Sequence, residues 1–256
     1  MLVRSTSPAR PPPFVPAATE GSRLQTSRPP VTPARSSRAP VDRFESRPAT
    51  GTSYEGLKDK ALIKALHDAS ATHKDLGYNQ ARKIIFTELD NHGGKVRDVY
   101  TGREITTNKI PNGSDMNTEH TWPQSKGATG PAKSDLHHLF PTDSKANSVR
   151  SSYPFGVVKD VQWSQNGAKF GKDDKGQLVF EPPDEHKGNV ARALFYFSTV
   201  YNKPIPAGDE AVLKQWNKQD KVDVAEQKRN DAIQGYQGNR NPFVDDASLA
   251  DRIADF

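Results

Sequence analysis

Between residues 57 and 89 the apolar positions recur at helical spacing in two runs. In YEGLKDKALIKALHDASATHK, Leu57, Ala61, Leu62, Leu66 and Ala69 fall on one side of a 3.6-residue helix. In YNQARKIIFTELDN, Ala81, Ile84, Ile85 and Leu89 form a second such stripe. Asn91-His92-Gly93-Gly94 reads as a turn, VRDVYTGREI alternates as a short strand does, and PNGSD reads as a loop. Further on, VVKDVQWSQNGAKFGKDDKGQLVFEPPDEHKG predicts short strands joined by turns, with Gly167, Gly171 and Gly176 as punctuation. In GNVARALFYFSTVYN, Val190, Ala193, Leu194, Phe197 and Val200 mark a core face. Phe195 and Tyr196 beside them predict burial nearly all round. A helix opening at Asp209-Glu210, a charged helix in DVAEQKRNDAIQGYQG, a loop at NRNPF and a short amphipathic tail complete the chain. Helices outnumber strands and the strands cluster centrally, so the expected class is α+β.

Residues 1–50 are of a different kind. They hold ten of the twenty Pro and no sustained apolar run. Such composition buries too little surface to offset ordering entropy, which predicts a disordered Pro/Arg-rich tail ahead of one domain over residues 51–256. The tail also carries the charge: eight Arg against Glu20, Asp42 and Glu45 account for the whole net +5, and the remaining 28 basic and 28 acidic residues cancel. The basic balance therefore gives no argument that the domain itself binds nucleic acid. The chain has no Cys, which excludes disulfides, thiolate metal sites and Cys nucleophiles. No apolar run reaches the length of a membrane span. Pro and Arg break the N-terminal apolar residues, so no ordinary secretory signal is expected.

The candidate chemistry lies between Asp115 and Gly156, where three of the seven His fall. MNTEHTW reads as a strand ended by Pro123. Adjacent strand residues point to opposite faces, but at a strand end Glu119 and His120 can border one cleft. An imidazole is the natural base for activating water, and a carboxylate is a hard ligand for a divalent cation. SDLHHLFPTD reads as a second strand stopped by Pro141. Of His137 and His138, one is expected buried and hydrogen-bonded, the other turned to the site as a group that orients His120 or a ligand. A helix then opens at Pro141 or Thr142, with Asp143 in its first turn. Asn147 and Arg150 are three apart and share a face. The Asn carbonyl suits Mg²⁺ or Ca²⁺, and the Arg suits a phosphate oxygen. Lys126 and Lys133, in the loop SKGATGPAKS, are expected to touch phosphate. Trp122 is expected in the core. His67 and His73 lie six apart and are read as structural or surface residues. Strand, strand and helix so equipped suit phosphodiester hydrolysis.

These residues also carry a resemblance. NTEHTWPQS, SDLHHLFPTD and ANSVRSSYPFG resemble the signature of the bacterial endonuclease I family, among the ββα-metal (His-Me finger) nucleases. SYEGLKDKALIKALH resembles its opening helix, GNVARALFYFSTVY its central helix and QGYQGNRNPFVDD its closing segment, so the likeness runs from about residue 53 to 246. The resemblance implies a mainly helical α+β domain around a ββα-metal motif. It implies His120 as general base, Glu119 and Asn147 as ligands to one Mg²⁺ (with Mn²⁺ or Ca²⁺ as substitutes), and Arg150 on phosphate. Arg240, in the closing segment, is a candidate backbone contact, with a loop-closing role as the alternative. The implied reaction is sequence-nonspecific cleavage of DNA, with RNA left open, to 5′-phosphate and 3′-hydroxyl ends. Two other readings stand beside it: a noncatalytic nucleic-acid-binding protein, and another metal-dependent phosphoesterase using His137 or His138. A nonspecific nuclease free in its own cytoplasm would be lethal. An extracellular or periplasmic monomer, or one held by an inhibitor or immunity protein, is therefore expected, with no membrane association.

Overall fold

The computed structural model describes residues 54–256; the reading of residues 1–50 as a disordered tail lies outside them. Seven helices and eight short strands make an α+β domain, as the pattern predicts. In chain order these are α1 (Asp59–Ser70), α2 (Tyr78–Ile84), β1 (Asn91–His92), β2 (Lys95–Arg97), β3 (Glu104–Thr106), β4 (Met116–His120), β5 (Leu139–Asp143) and α3 (Ser144–Arg150). They continue with β6 (Asp160–Gln165), β7 (Ala168–Lys172), β8 (Leu178–Glu181), α4 (Lys187–Tyr201), α5 (Ala207–Gln219), α6 (Val224–Gln237) and α7 (Pro242–Asp245). The strands form three small antiparallel sheets, β1-β2-β3, β4-β5 and β6-β7-β8. Among the described residues no helix is long and apolar enough to cross a membrane.

Helix α4 is the axis of the domain. Every residue from Val190 to Val200 is buried, as its all-round apolar sequence predicts. It packs against α1, α5 and α7, and its apolar side chains join Leu62, Leu66, Trp216, Phe243 and Ile253 in one cluster. The one charged side chain in its middle, Arg192, is fully buried and meets both carboxylate oxygens of Glu226, at 2.7 and 2.6 Å. Gly188 lets this helix approach α5 closely, because a Cβ there would run into the carbonyl oxygen of Asp220. A second cluster joins α2 to the strands that carry the chemistry: Ala81, Ile84, Ile85 and Leu89 pack with Met116, Leu136 and Leu139.

Several local expectations change. In α1 the inward residues are Leu62, Leu66 and Ser70, while Ala61 and Ala69 face solvent. Helix α2 runs on as a π-helical turn, Ile85–Leu89, which keeps the apolar stripe turned inward. VRDVYTGREI is not one strand but a hairpin of β2 and β3. Asp98 accepts from the backbone N–H of Tyr100 and Thr101 and folds the chain back. Asn91 and His92 are strand residues, with Gly93 and Gly94, both at positive φ, making the turn alone. Pro141 does not stop a strand but lies within β5 opposite Thr118, which a two-stranded sheet tolerates because each strand is an edge. Helix α3 therefore starts later than read, with Asp143 as its cap, accepting from Lys145 N and Ala146 N. His137 and His138 sit in a 3₁₀ turn ahead of β5 rather than in the strand.

Candidate active site

The register of β4 on β5 sets Glu119 opposite Phe140 and His120 opposite Leu139, at the end of a two-stranded sheet. The His120 ring is 8% exposed. Its Nε2 lies 3.1 Å from the Lys133 carbonyl oxygen. A carbonyl only accepts, so Nε2 carries the proton and Nδ1 keeps the lone pair. The side-chain amide of Gln124 stands 3.4 Å from Nδ1, a long contact. Rings of Tyr78 and His138 flank the imidazole, with centroids 5.3 and 5.6 Å away. Burial above all, then the charges of His138, Lys133 and Arg150, push its pKa down to about 3. The ring is thus neutral at physiological pH, the form a general base needs.

Glu119 has its own surroundings. Its Oε1 accepts from the Tyr100 hydroxyl at 2.9 Å and lies 3.0 Å from Arg150 Nε. Burial raises its pKa, and Arg150 and Tyr100 oppose that rise. Among the described residues no hydrogen bond reaches Oε2. Asn147 lies one turn before Arg150 on α3, on the face that meets Glu119. It is half-buried, and its side-chain amide has no hydrogen-bond partner among the described residues. Two hard oxygen donors on neighbouring elements, without protein partners, suit Mg²⁺ far better than a soft metal.

Arg150 differs from its reading. It is 1% exposed, and its Nη1 and Nη2 donate to the carbonyls of Ser151 and Thr121 at 2.7 and 2.9 Å. Its Nε touches Glu119 as an ion contact without an aligned hydrogen bond. Helical spacing located its face correctly, but burial turned the guanidinium to the protein rather than to a phosphate. Arg240 likewise closes a loop: its nitrogens hold Asp245 at 2.6 Å, Asp231 at 2.6 Å and Gln234 at 3.0 Å. Lys126 is exposed, and its carbonyl accepts from the indole N–H of Trp122. With Trp122 and Arg150 it borders a cavity of about 160 Å³. Trp122 stacks on Phe197 at 4.8 Å, the packing role expected.

His137 and His138 are both buried. His137 Nε2 is 3.3 Å from the Asn239 carbonyl, and His138 Nε2 is 2.6 Å from that of Ala132. Only His138 packs on His120. Each ring places its Nε2 on a carbonyl, and among the described residues no three or more His, Asp or Glu side chains converge as a metal cage. His73 is also more than a surface residue: its Nε2 meets the Tyr201 hydroxyl at 3.2 Å and stands 3.8 Å from Asp135.

Residues not singled out in the sequence complete the site. Asp135 is buried and accepts from four donors: the hydroxyls of Tyr196 and Tyr201 at 2.8 and 2.7 Å, His137 N at 3.0 Å and Gln237 Nε2 at 2.8 Å. It anchors the turn between Lys133, whose carbonyl orients His120, and β5. Against the effect of burial, His137, His138, His73 and Gln237 hold its carboxyl at about 2. Tyr78, Tyr100 and Gln124 were likewise outside the sequence reading, because each meets its partner through tertiary packing.

The buried histidines make stability pH-dependent. Burial lowers His137 to about 4 against the raising effect of Asp135. It lowers His186 to about 3, with the charges of Arg229 and Arg192 adding to it. Unfolded, both titrate near 6.5. Below that pH the unfolded chain binds protons that the native state refuses, so their contribution is full above pH 6.5 and is lost on acidification. Each removes about 1.4 kcal/mol per pH unit below 6.5 until its folded pKa is reached. Glu119 and Glu226, raised by burial, oppose this at lower pH. Urea midpoints are expected to fall from pH 7 to pH 5; a flat profile would contradict the neutral burial of these rings.

The sequence matches the family model described as Endonuclease I over residues 59–248, from α1 through α7. The chain belongs to the Endonuclease I family. It is 34% identical to an extracellular ribonuclease of Bacillus subtilis (strain 168) over 232 residues, which cover 80% of this chain and 78% of that relative. An extracellular ribonuclease of Bacillus amyloliquefaciens is 35% identical over 226 residues, 77% of this chain and 75% of the relative. A periplasmic deoxyribonuclease of Aeromonas hydrophila is 32% identical over 116 residues, 43% of this chain and 47% of the relative. As an Endonuclease I member the protein is a nuclease, and its substrate is nucleic acid.

Proposed function

We propose that the protein is a metal-dependent, sequence-nonspecific endonuclease of the ββα-metal type that hydrolyses the phosphodiester backbone of both DNA and RNA outside the cytoplasm. The observation that carries the reading is His120: a neutral imidazole whose Nε2 is tied to a carbonyl, leaving Nδ1 as the basic atom, next in sequence to a partly uncommitted carboxylate. Nδ1 takes the proton from a water as its oxygen bonds to phosphorus. The bond from phosphorus to the 3′ oxygen breaks, and that oxygen collects a proton. The products are a 5′-phosphate and a 3′-hydroxyl. Glu119 and Asn147 would hold Mg²⁺, which supplies Lewis-acid stabilisation of the phosphate and the leaving oxygen. Tyr100 and Arg150 hold Glu119 in place through Oε1.

Every group invoked acts on the phosphodiester, which DNA and RNA share, and this supports both substrates. Relatives named for ribonuclease and for deoxyribonuclease activity agree with that breadth, and their extracellular and periplasmic names support action outside the cytoplasm. A noncatalytic binding protein would have no use for an oriented neutral base.

The test is cleavage of supercoiled plasmid and of a structured RNA, in parallel, with Mg²⁺ and with EDTA. Both substrates are expected to be cut with metal and spared without it. The ends should accept label from polynucleotide kinase only after phosphatase treatment. Glu119→Gln keeps the side-chain shape and removes the charge, so it should raise the Mg²⁺ concentration for half-maximal activity by about tenfold or more. Undiminished cleavage in EDTA would overturn the metal-dependent reading.

A further inference from the structure

Two cations near His120 share one aromatic ring. Arg103, Arg150, Arg192, Arg229 and Arg240 each pair with a carboxylate. Arg82 and Lys133 have no such ion pair among the described residues. Both are half-buried, and both lie against the same ring. Lys133 Nζ is 4.8 Å from the centroid of Tyr78, and the Arg82 guanidinium carbon is 5.8 Å from it. That ring is the one packed on His120 at 5.3 Å. Arg82 follows Tyr78 by one turn of α2, so the helix fixes their relation. Lys133 is fixed from the other direction, since its carbonyl holds His120 Nε2. Arg82 Nε is shut away from solvent without a hydrogen-bond partner.

Like charges gathered on one ring repel, and cation–π contact recovers only about 0.5–1 kcal/mol each at partly exposed sites. An orphaned guanidinium donor is a further cost. An anion beside the two cations would offset that repulsion. Beside the base of a nuclease, the anion with that chemistry is a backbone phosphate, which a guanidinium grips bidentately and an ammonium meets as a point charge.

We infer that Arg82 and Lys133 form a clamp for a nucleic-acid phosphate beside His120, with Tyr78 as the positioning residue that holds both cations and the imidazole in register. The inference rests on the nuclease reading of His120 and assigns to α2, outside the strand–strand–helix motif, a share of substrate binding. The clamp reads charge and not base, in keeping with nonspecific cleavage.

The test is binding, not catalysis. A labelled single-stranded oligonucleotide is titrated with the full chain in EDTA, and anisotropy is followed over a series of salt concentrations. Arg82→Gln and Lys133→Gln are each expected to weaken binding about five- to tenfold at fixed salt. Each should also reduce the slope of log Kd against log salt by about 0.7, the value for one phosphate contact on a single strand. Arg82→Lys should keep most of the slope, and Tyr78→Phe should bind as the parent does. A purely structural role for either cation would leave the salt slope unchanged. Should Arg82→Gln fold poorly by thermal melting, Lys133→Gln, in the short 3₁₀ turn Gly130–Ser134, decides the matter. Unchanged affinity and slope in folded Gln variants would overturn the clamp, as would a parent chain that does not bind at low salt. Fragmentation of the oligonucleotide in EDTA would instead overturn the metal-dependent reading and leave the clamp standing.

Discussion

Replacing His120 by alanine is expected to slow plasmid cleavage by about 10²–10⁴-fold, the range for loss of a positioned general base. That corresponds to roughly 3–5 kcal/mol of barrier at 1.36 kcal/mol per tenfold. The site explains why the loss should be large. The proton on Nε2 is committed to the Lys133 carbonyl, and Nδ1 is the only basic atom that this arrangement leaves. Neither neighbouring histidine is placed to substitute, because His138 is fully buried under Phe197 and His137 is buried against Tyr196. Removing a ring packed between Tyr78 and His138 also leaves a cavity. Activity should therefore be compared at temperatures where both proteins are folded by circular dichroism. Added imidazole should restore part of the rate to His120→Ala and none to Glu119→Gln. Retention of more than about a tenth of parent activity would show that another group takes the proton.

Asp135→Asn is expected to destabilise the fold by about 2–4 kcal/mol, because it leaves buried donors without an acceptor at about 1–3 kcal/mol each. Asparagine has nearly the same shape but replaces one acceptor oxygen with a donor. In either orientation its NH₂ then faces donors: two tyrosine hydroxyls, or the amides of His137 and Gln237. Tyr196→Phe or Tyr201→Phe, each removing one donor, should cost about 1 kcal/mol. Urea denaturation measures both. The Asn variant should also slow the folded fraction, because Asp135 anchors the turn whose Lys133 carbonyl orients His120, but by less than His120→Ala does. A loss below about 1 kcal/mol would mean that the network is slack or hydrated.

What was legible in the sequence is what local chemistry decides. The apolar surround of α4 had no other outcome than burial, and the order of acid–His pair, second strand and Asn-bearing helix is local. The turn at Asp98 hid the β2–β3 hairpin inside a run that alternates. The arginines went astray for a different reason. Helical spacing tells which face a residue shares, but it does not tell how deep that face lies. Arg150 looks like a phosphate ligand until the carbonyls and carboxylate around it are seen, while Arg240 takes the loop-closing alternative. Asp135 meets Tyr196 across 61 residues and Gln237 across 102, and no periodicity encodes such a pairing. Tyr78 reaches His120 in the same way, which is why α2 looked like plain scaffold.

The reach of the Asp135 network also bears on when this enzyme becomes dangerous. The turn that orients the base is tied to Gln237, and His137 to Asn239, while α4 is covered by α5 and α7. A ribosome delivers these pieces after the strand–strand–helix unit. Until they emerge, the strand–strand–helix unit lacks the partners that hold its geometry, and such distant contacts also form slowly. A growing chain can thus expose the β4–β5–α3 unit before the contacts that fix its geometry exist. The fold itself supplies a delay between synthesis and activity.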